Sequence, residues 1–295
     1  MRVTQNMMSR TLLSDIQDVT GQLAATQQKL SSGKQISKPS DDPYGTTRAL
    51  QFRGELAQNQ QYQQNVQDAD AWQGVVDSAL SSASSIAQRA NELLVQGASE
   101  TTDATGRASI AAEIDQLIDS LKTEGNAQYA GRYVFAGSAT LTAPYQLGAN
   151  DAYAGNTDTI RREIGPGVQM DVNTPGSAVF GDDTSGLIHT LRTISADLRS
   201  GNTSALQNGD MTSLSGDLDT IANAQAIVGA RQNRLETALG RLQDMEQSTT
   251  TLLSGTEDAD MAKTMVDFSQ QTAVFQAALR AGAQIIQPSL MDFLS

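Results

Sequence analysis

Three carboxylate clusters are the residues best placed to do chemistry: Asp41-Asp42, Asp182-Asp183 and Glu257-Asp258-Asp260. Two carboxyls converging on one pocket can hydrolyse a glycosidic bond, one protonating the leaving oxygen while the other activates water or attacks. Carboxylates on a suitable loop can also hold calcium. Each cluster here instead precedes an expected helix, where an anion accepts from free backbone N–H groups and suits the helix dipole. Asp182-Asp183 lacks the ligand spacing of a calcium loop. His189 is the one histidine, and no H-E-x-x-H or related spacing surrounds it, so zinc would rest on carboxylates alone. Gly165-Pro166-Gly167 has neither a following lysine nor G-x-G-x-x-G spacing, so it reads as a hairpin turn and not a phosphate loop. With no cysteine, thiol catalysis, disulfides and thiolate metal sites are excluded. No enzyme, metal or cofactor is expected.

The elements that carry these clusters are long and amphipathic. Leu12, Ile16, Val19, Leu23, Thr26 and Leu30 recur at alternating steps of four and three. Met261, Met265, Phe268, Thr272, Phe275, Leu279, Gly282 and Ile286 do the same near the other end. Such a heptad seam requires a partner helix. The first segment, residues 9–32, ends at Gly33, which suits a left-handed C-terminal cap. Asp42 then Pro43 is a helix start, an acceptor at the cap followed by proline at the first helical position. From there a helical pattern runs to Gly97 through Tyr62, Val66, Ala69, Val76, Leu80, Ala83, Ala87, Ala90 and Leu94. Further helices are expected at 104–129, 186–200 and 214–253, with Ser254 and Glu257 as a capping box opening the last one.

The middle differs. Residues 131–185 hold three of the six prolines and five aromatic residues, Tyr133, Phe135, Tyr145, Tyr153 and Phe180. Ile160 to Ile164, the Gly165–Gly167 turn, then Val168, Met170 and Val172 at period two read as a hairpin. A small β-rich insertion between helical arms is expected.

Composition supports rods over a thick core. Hydrophobic residues are 39 % and aromatics 4 % of the 295 residues, which favours narrow seams between long helices. The net charge of −13 argues against a nucleic-acid partner, which normally meets a basic face. No apolar run reaches the 18 or so residues of a membrane span, and the first 30 residues lack the pattern of a cleaved secretory signal. Neither membrane insertion nor ordinary secretion is expected. An isolated terminal helix of this length is marginal in water, so the ends should gain order when neighbours supply more surface.

Several local motifs resemble those of one family. Leu30-Ser31-Ser32-Gly33-Lys34, then Pro39-Ser40-Asp41-Asp42-Pro43, resemble the N-terminal signature of the flagellin superfamily. So do Arg89-Ala90-Asn91-Glu92-Leu93-Leu94, Ile114-Asp115-Gln116-Leu117 and Gly131-Arg132-Tyr133-Val134-Phe135. Asn233-Arg234-Leu235-Glu236, Glu257-Asp258-Ala259-Asp260, Gln276-Ala277-Ala278-Leu279 and Ser289-Leu290-Met291-Asp292-Phe293-Leu294 are similar to its returning helices. The Pro-Ser-Asp-Asp-Pro form, the small middle and the Leu-Met-Asp-Phe-Leu ending are most similar to the hook-associated branch. Flagellin itself more often has an Ala-rich stretch where this chain has Pro43-Tyr44-Gly45-Thr46-Thr47.

The resemblance implies a mainly α fold: a long antiparallel helical rod or coiled-coil bundle from both chain ends, with a small inserted β-rich domain. Residues 1–48 with 255–295 would form the terminal assembly domain, 49–138 with 186–254 the long-helix rod, and 139–185 the outer domain. Leu12, Ile16, Val19, Leu23, Leu30, Met261, Met265, Phe268, Phe275, Leu279 and Ile286 would form the assembly interface. Ser31, Ser32, Gly33, Ser40, Asp41, Asp42 and Pro43 would form the family's motif loop. Implied partners are identical subunits in a ring, hook-associated protein 1, flagellin and an export chaperone, with export through the flagellar type III channel. The implied function is a junction layer between hook and filament. A short filament-forming flagellin, a cytoplasmic coiled-coil scaffold and a hydrolase are the competing readings.

Overall fold

The computed structural model describes residues 5–148 and 150–286. The contacts divide the chain into two compact units, one holding both chain ends (through residue 58 and from residue 246) and one spanning 59–245.

In the first unit, α1 (Gln5–Ser32) packs antiparallel on α7 (Met261–Ile286). Gly282 lies against Leu12 near one end of the pair, so close that an added Cβ would sit 3.1 Å from Leu12 Cδ2. Val19 and Gln22 share a cleft with Asp267, Gln271 and Val274 farther along, and the Lys34 backbone pairs with that of Asp258 in an isolated antiparallel β-bridge at the other end. Gly33 ends α1 at φ 70°, its N–H donating to the Lys29 carbonyl at 2.8 Å. That left-handed step carries no Cβ penalty in glycine. Helix α2 (Pro43–Gly97) opens where expected, with Asp42 Oδ1 accepting from the Gly45 N–H at 3.0 Å.

The second unit is built on antiparallel portions of α2 and α6 (Met211–Glu257). Asn59 Nδ2 donates to the Leu242 carbonyl at 2.9 Å, and Gln207 Nε2 to the Ala98 carbonyl at 3.0 Å. Every residue of the expected α2 seam from Tyr62 to Leu94 is buried. Helix α3 (Ala104–Gly125) and α4 (Leu187–Ser200) pack together and complete the core with Ile110, Ile114, Ile118, Leu121, Leu191 and Ile194. A one-turn helix, α5 (Thr203–Ala205), passes through a π-type turn, Leu206–Asp210, into α6.

Strand is sparse. β1 (Gln128–Tyr129) pairs with β2 (Arg132–Tyr133), and β3 (Arg161–Gly165) pairs antiparallel with β4 (Val168–Asp171). The second hairpin follows the period-two pattern in the sequence. The rest of 139–185 is mainly turns. Its aromatic residues join the helical core, with Phe180 edge-on to Phe135 at 4.9 Å and Tyr145 Oη donating to the Gly181 carbonyl at 2.7 Å.

Several boundaries differ from expectation: α1 begins at Gln5 and α6 at Met211, both earlier than expected. α3 stops at Gly125 because Asn126 caps it and the chain turns into β1. α6 extends to Glu257, so Ser254 does not open a helix; its hydroxyl donates to Asp258 Oδ2 at 2.5 Å. Asp260 opens α7 instead, accepting from the Lys263 N–H at 3.0 Å.

Between β1 and β2, Ala130 is held at φ 49° and Gly131 at φ 75°. Such a two-residue turn favours Asn-Gly, and alanine is strained in its first position. Ala130→Asn should therefore stabilise the 59–245 unit by about 0.5–1 kcal/mol. A thermal melt checks this, and a lower midpoint would refute it.

Candidate functional site

The carboxylate clusters do not converge. Asp41 Oδ2 accepts from the Ser37 and Lys38 N–H groups at 3.1 and 2.9 Å, and those bonds hold its pKa below the usual range. Asp182 Oδ1 accepts from the Thr184 hydroxyl at 2.6 Å and from the Thr184 and Ser185 N–H groups, which lowers its pKa. It therefore caps a turn and not α4, whose N-cap is Gly186. Asp183 likewise does not cap α4; its carbonyl meets His189 Nδ1 at 3.0 Å. Among the described residues no three His, Cys, Asp or Glu side chains cluster as metal ligands, and no helix is long and apolar enough to cross a membrane.

What the chain ends build is a clamped joint. Glu257 is 5 % exposed. Its Oε1 accepts from Lys34 Nζ at 2.6 Å, and its Oε2 from Arg53 Nη2. Its carbonyl accepts from the Gln35 N–H at 2.7 Å, and the Ala259 N–H returns a bond to the Gly33 carbonyl at 2.9 Å. The motif loop after α1 is thereby fastened to the end of α6. Ser32 Oγ accepts from the Lys34 N–H at 3.2 Å, whereas Ser31 and Ser40 are exposed. Gly45 lets this packing close in: an added Cβ would meet Asp42 Oδ2 and Ile36 Cδ1 at 2.5 Å, and both side-chain ends would have to shift. Sequence spacing placed Glu257 in a capping box; its role as a buried anion between two cations, 223 and 204 residues away in sequence, has no local signal.

The α1 stripe and the α7 stripe fare differently. Leu12, Ile16, Val19, Leu23 and Leu30 are all half-buried beside buried Thr26. On α7, buried Thr264 and Gly282 and half-buried Asp267, Phe268, Gln271, Thr272, Phe275 and Ala278 form the covered line. Met261, Met265 and Leu279, which the pattern put on that seam, stand off it at 46, 61 and 47 % exposed. The reason is that α7 is apolar on more than one side: Val266 and Val274 are exposed as well. A single partner helix covers one line only. The side chain of Ile286 and the 289–294 motif lie outside the described residues.

The family profile of the bacterial flagellin N-terminal helical region matches residues 3–140, and that of the C-terminal helical region matches residues 211–294. The chain belongs to the flagellin family. Flagellin-family chains are structural parts of the bacterial flagellum and not enzymes. The chain is 27 % identical to flagellar hook-associated protein 3 of Escherichia coli, covering 95 % of this chain and 96 % of that one. It is 25 % identical to flagellin of Bacillus subtilis, covering 97 % of each. Its fold matches flagellar hook-associated protein 3 of Legionella pneumophila at a TM-score of 0.63, with 16 % identity over 69 % of this chain and 97 % of that one. A protein of Vibrio parahaemolyticus described as flagellar hook-associated matches at 0.66, with 21 % identity over 74 % of this chain and all of that one. Mainly α, with helical termini and a small inserted domain, is thus the fold of the family as well as of this chain.

Proposed function

We propose that this flagellin-family chain forms the junction layer between the hook side and the filament of the flagellum. The observation that carries this reading is the near full-length match to hook-associated protein 3 of Escherichia coli, through both ends and the middle. The terminal seam supports it mechanically. α1 and α7 cover one another on one line and leave Met7, Leu13, Met265, Val266 and Leu279 exposed. Exposed apolar side chains on paired helices suit coverage by neighbouring subunits. In this reading identical copies close a ring, hook-associated protein 1 lies below and flagellin above. An export chaperone covers the ends before passage through the type III channel, and residues 139–185 face outward.

Deleting the gene tests it: hooks should remain while flagellin escapes into the medium. Hooks that keep bearing normal filaments would sink the reading. The match to Bacillus subtilis flagellin over nearly the whole chain favours a second reading, a short filament subunit. In that case purified protein would seed long homopolymeric filaments. Leu23→Asp places a charge on the half-buried α1 line and should abolish incorporation into sheared flagella, while the melting of the 59–245 unit stays within about 0.5 kcal/mol of the parent. Normal incorporation would contradict the assigned interface.

A further inference from the structure

A cavity of about 240 Å³ opens in the second unit between α2, the β1–β2 turn and the β3–β4 hairpin. Its apolar wall is Ala69, Trp72, Tyr129, Ile160 and Val172, with Trp72 edge-on to Tyr129 at 6.2 Å. Two guanidinium groups and one carboxylate also line it, those of Arg132, Arg162 and Asp68.

The charged side chains stand at its rim: Asp68, Arg132 and Arg162 are all exposed. Trp72 is 7 % exposed, and its buried indole N–H meets no acceptor among the described residues. A buried donor left unpaired is costly. Arg132 spends one N–H on Thr140 Oγ1 at 3.3 Å. Arg161 pairs with Asp171, but Arg162 has no ion pair or side-chain hydrogen bond among the described residues. Arg162 pairs across the hairpin with buried Met170, and the ladder slips just beyond it, between Glu163 and Gly165. The strained Ala130 lies in the turn just before Arg132 and also lines the cavity. Strained backbone of this kind concentrates at binding sites.

Size and charge restrict the occupant. The volume is below the range of most free small-molecule sites and fits one or two side chains. Two guanidinium groups at the rim of an apolar wall select a carboxylate beside an apolar group. We propose that this cavity takes an acidic–apolar segment of a second copy of this chain. The chain carries 33 acidic against 20 basic residues, so its copies supply acidic surface, and the cavity offers cations to meet it. This occupant rests on the assembly reading above.

Trp72 is the sole tryptophan, so its emission reports occupancy directly. The purified full chain is titrated with N-acetyl-Asp-Leu-amide, and with N-acetyl-Lys-Leu-amide as control. A saturable change with the acidic probe alone is expected, weakened about tenfold or more in Arg132→Glu/Arg162→Glu and largely kept in the Lys/Lys pair. No saturable change, or an equal response to the basic probe, overturns the site. For the source, a photo-crosslinking residue replaces Asp68, and sheared flagella are irradiated. An adduct between two copies, mapped to an acidic segment and lost with the charge reversals, is expected. An adduct to a different protein, or none, overturns the second copy as occupant. Absence of the chain from sheared flagella would instead strike the assembly reading, and the peptide titration would still decide the site.

Discussion

Asp151→Ala should lower the stability of the 59–245 unit by about 3 kcal/mol, one of the largest single-residue effects expected in this chain. Lys122 is fully buried on α3, and its Nζ lies 2.6 Å from Asp151 Oδ1. It also donates to the Gly148 and Asn150 carbonyls at 2.6 and 2.9 Å. Arg192 on α4 holds the same carboxylate through Nε and Nη2 at 2.8 and 2.9 Å. Removing the anion strands a cation with no access to water, which is the costly way to break a buried pair. In a unit of this size the melting midpoint should fall by roughly 6–12 °C. A loss below about 1 kcal/mol would show that the carbonyls alone suffice for Lys122. Lys122→Met/Asp151→Leu should be milder than Asp151→Ala, because an apolar pair leaves nothing charged inside. Burial pushes the Asp151 carboxyl up, but Arg192 and Lys122 outweigh it and hold its pKa below the usual value. A carboxyl that titrates lower when folded adds stability above its unfolded pKa of about 4, lost as pH falls through the folded value. The parent should therefore lose part of its stability below about pH 4, a component that Asp151→Asn should lack.

The helices were legible because their apolar residues repeat at a helical period, and a seam buried along its length, such as Tyr62 to Leu94, has one interpretation. The Ile160–Val172 hairpin was legible for the matching reason at period two. The α7 stripe was only half legible. Apolar residues on several sides of a helix give more than one line through them, and the covered line depends on a partner that the sequence of α7 does not contain. The charge clamps were illegible for a different reason: Lys34, Arg53 and Glu257 come together through chain pairing and not through spacing. Lys122 did leave a signal. It sits four residues after Ile118 and eight after Ile114, on the buried face of α3, so a lysine at that register demands a buried anion.

Glu257→Ala should open the joint between the chain ends and leave the second unit intact. The side chain is the shared acceptor of Lys34 and Arg53, and only 7 % of it is exposed. Its removal leaves the Gln35 and Ala259 backbone bonds in place, so the variant isolates what the charges contribute. Charge-assisted bonds contribute about 1.5–3 kcal/mol each when shielded. Lys34 and Arg53 are themselves 40 and 49 % exposed, which reduces the pair to roughly 2 kcal/mol together. Local opening should then become about 30-fold more frequent. Trypsin reads this at the Lys34–Gln35 bond, because proline follows Lys38 and protects the next site. Cleavage there should accelerate by about the same factor when opening limits access, with the melt of residues 59–245 unchanged. Glu257→Gln keeps the shape and loses the charge, so it should fall between parent and alanine. If the joint is what presents α1 and α7 as one assembling surface, incorporation should fall in the same order as the cleavage rates rise. Faster cleavage with full incorporation would show that neighbouring subunits restore the joint on their own, and would move the decisive contact from Glu257 to the exposed side of α7.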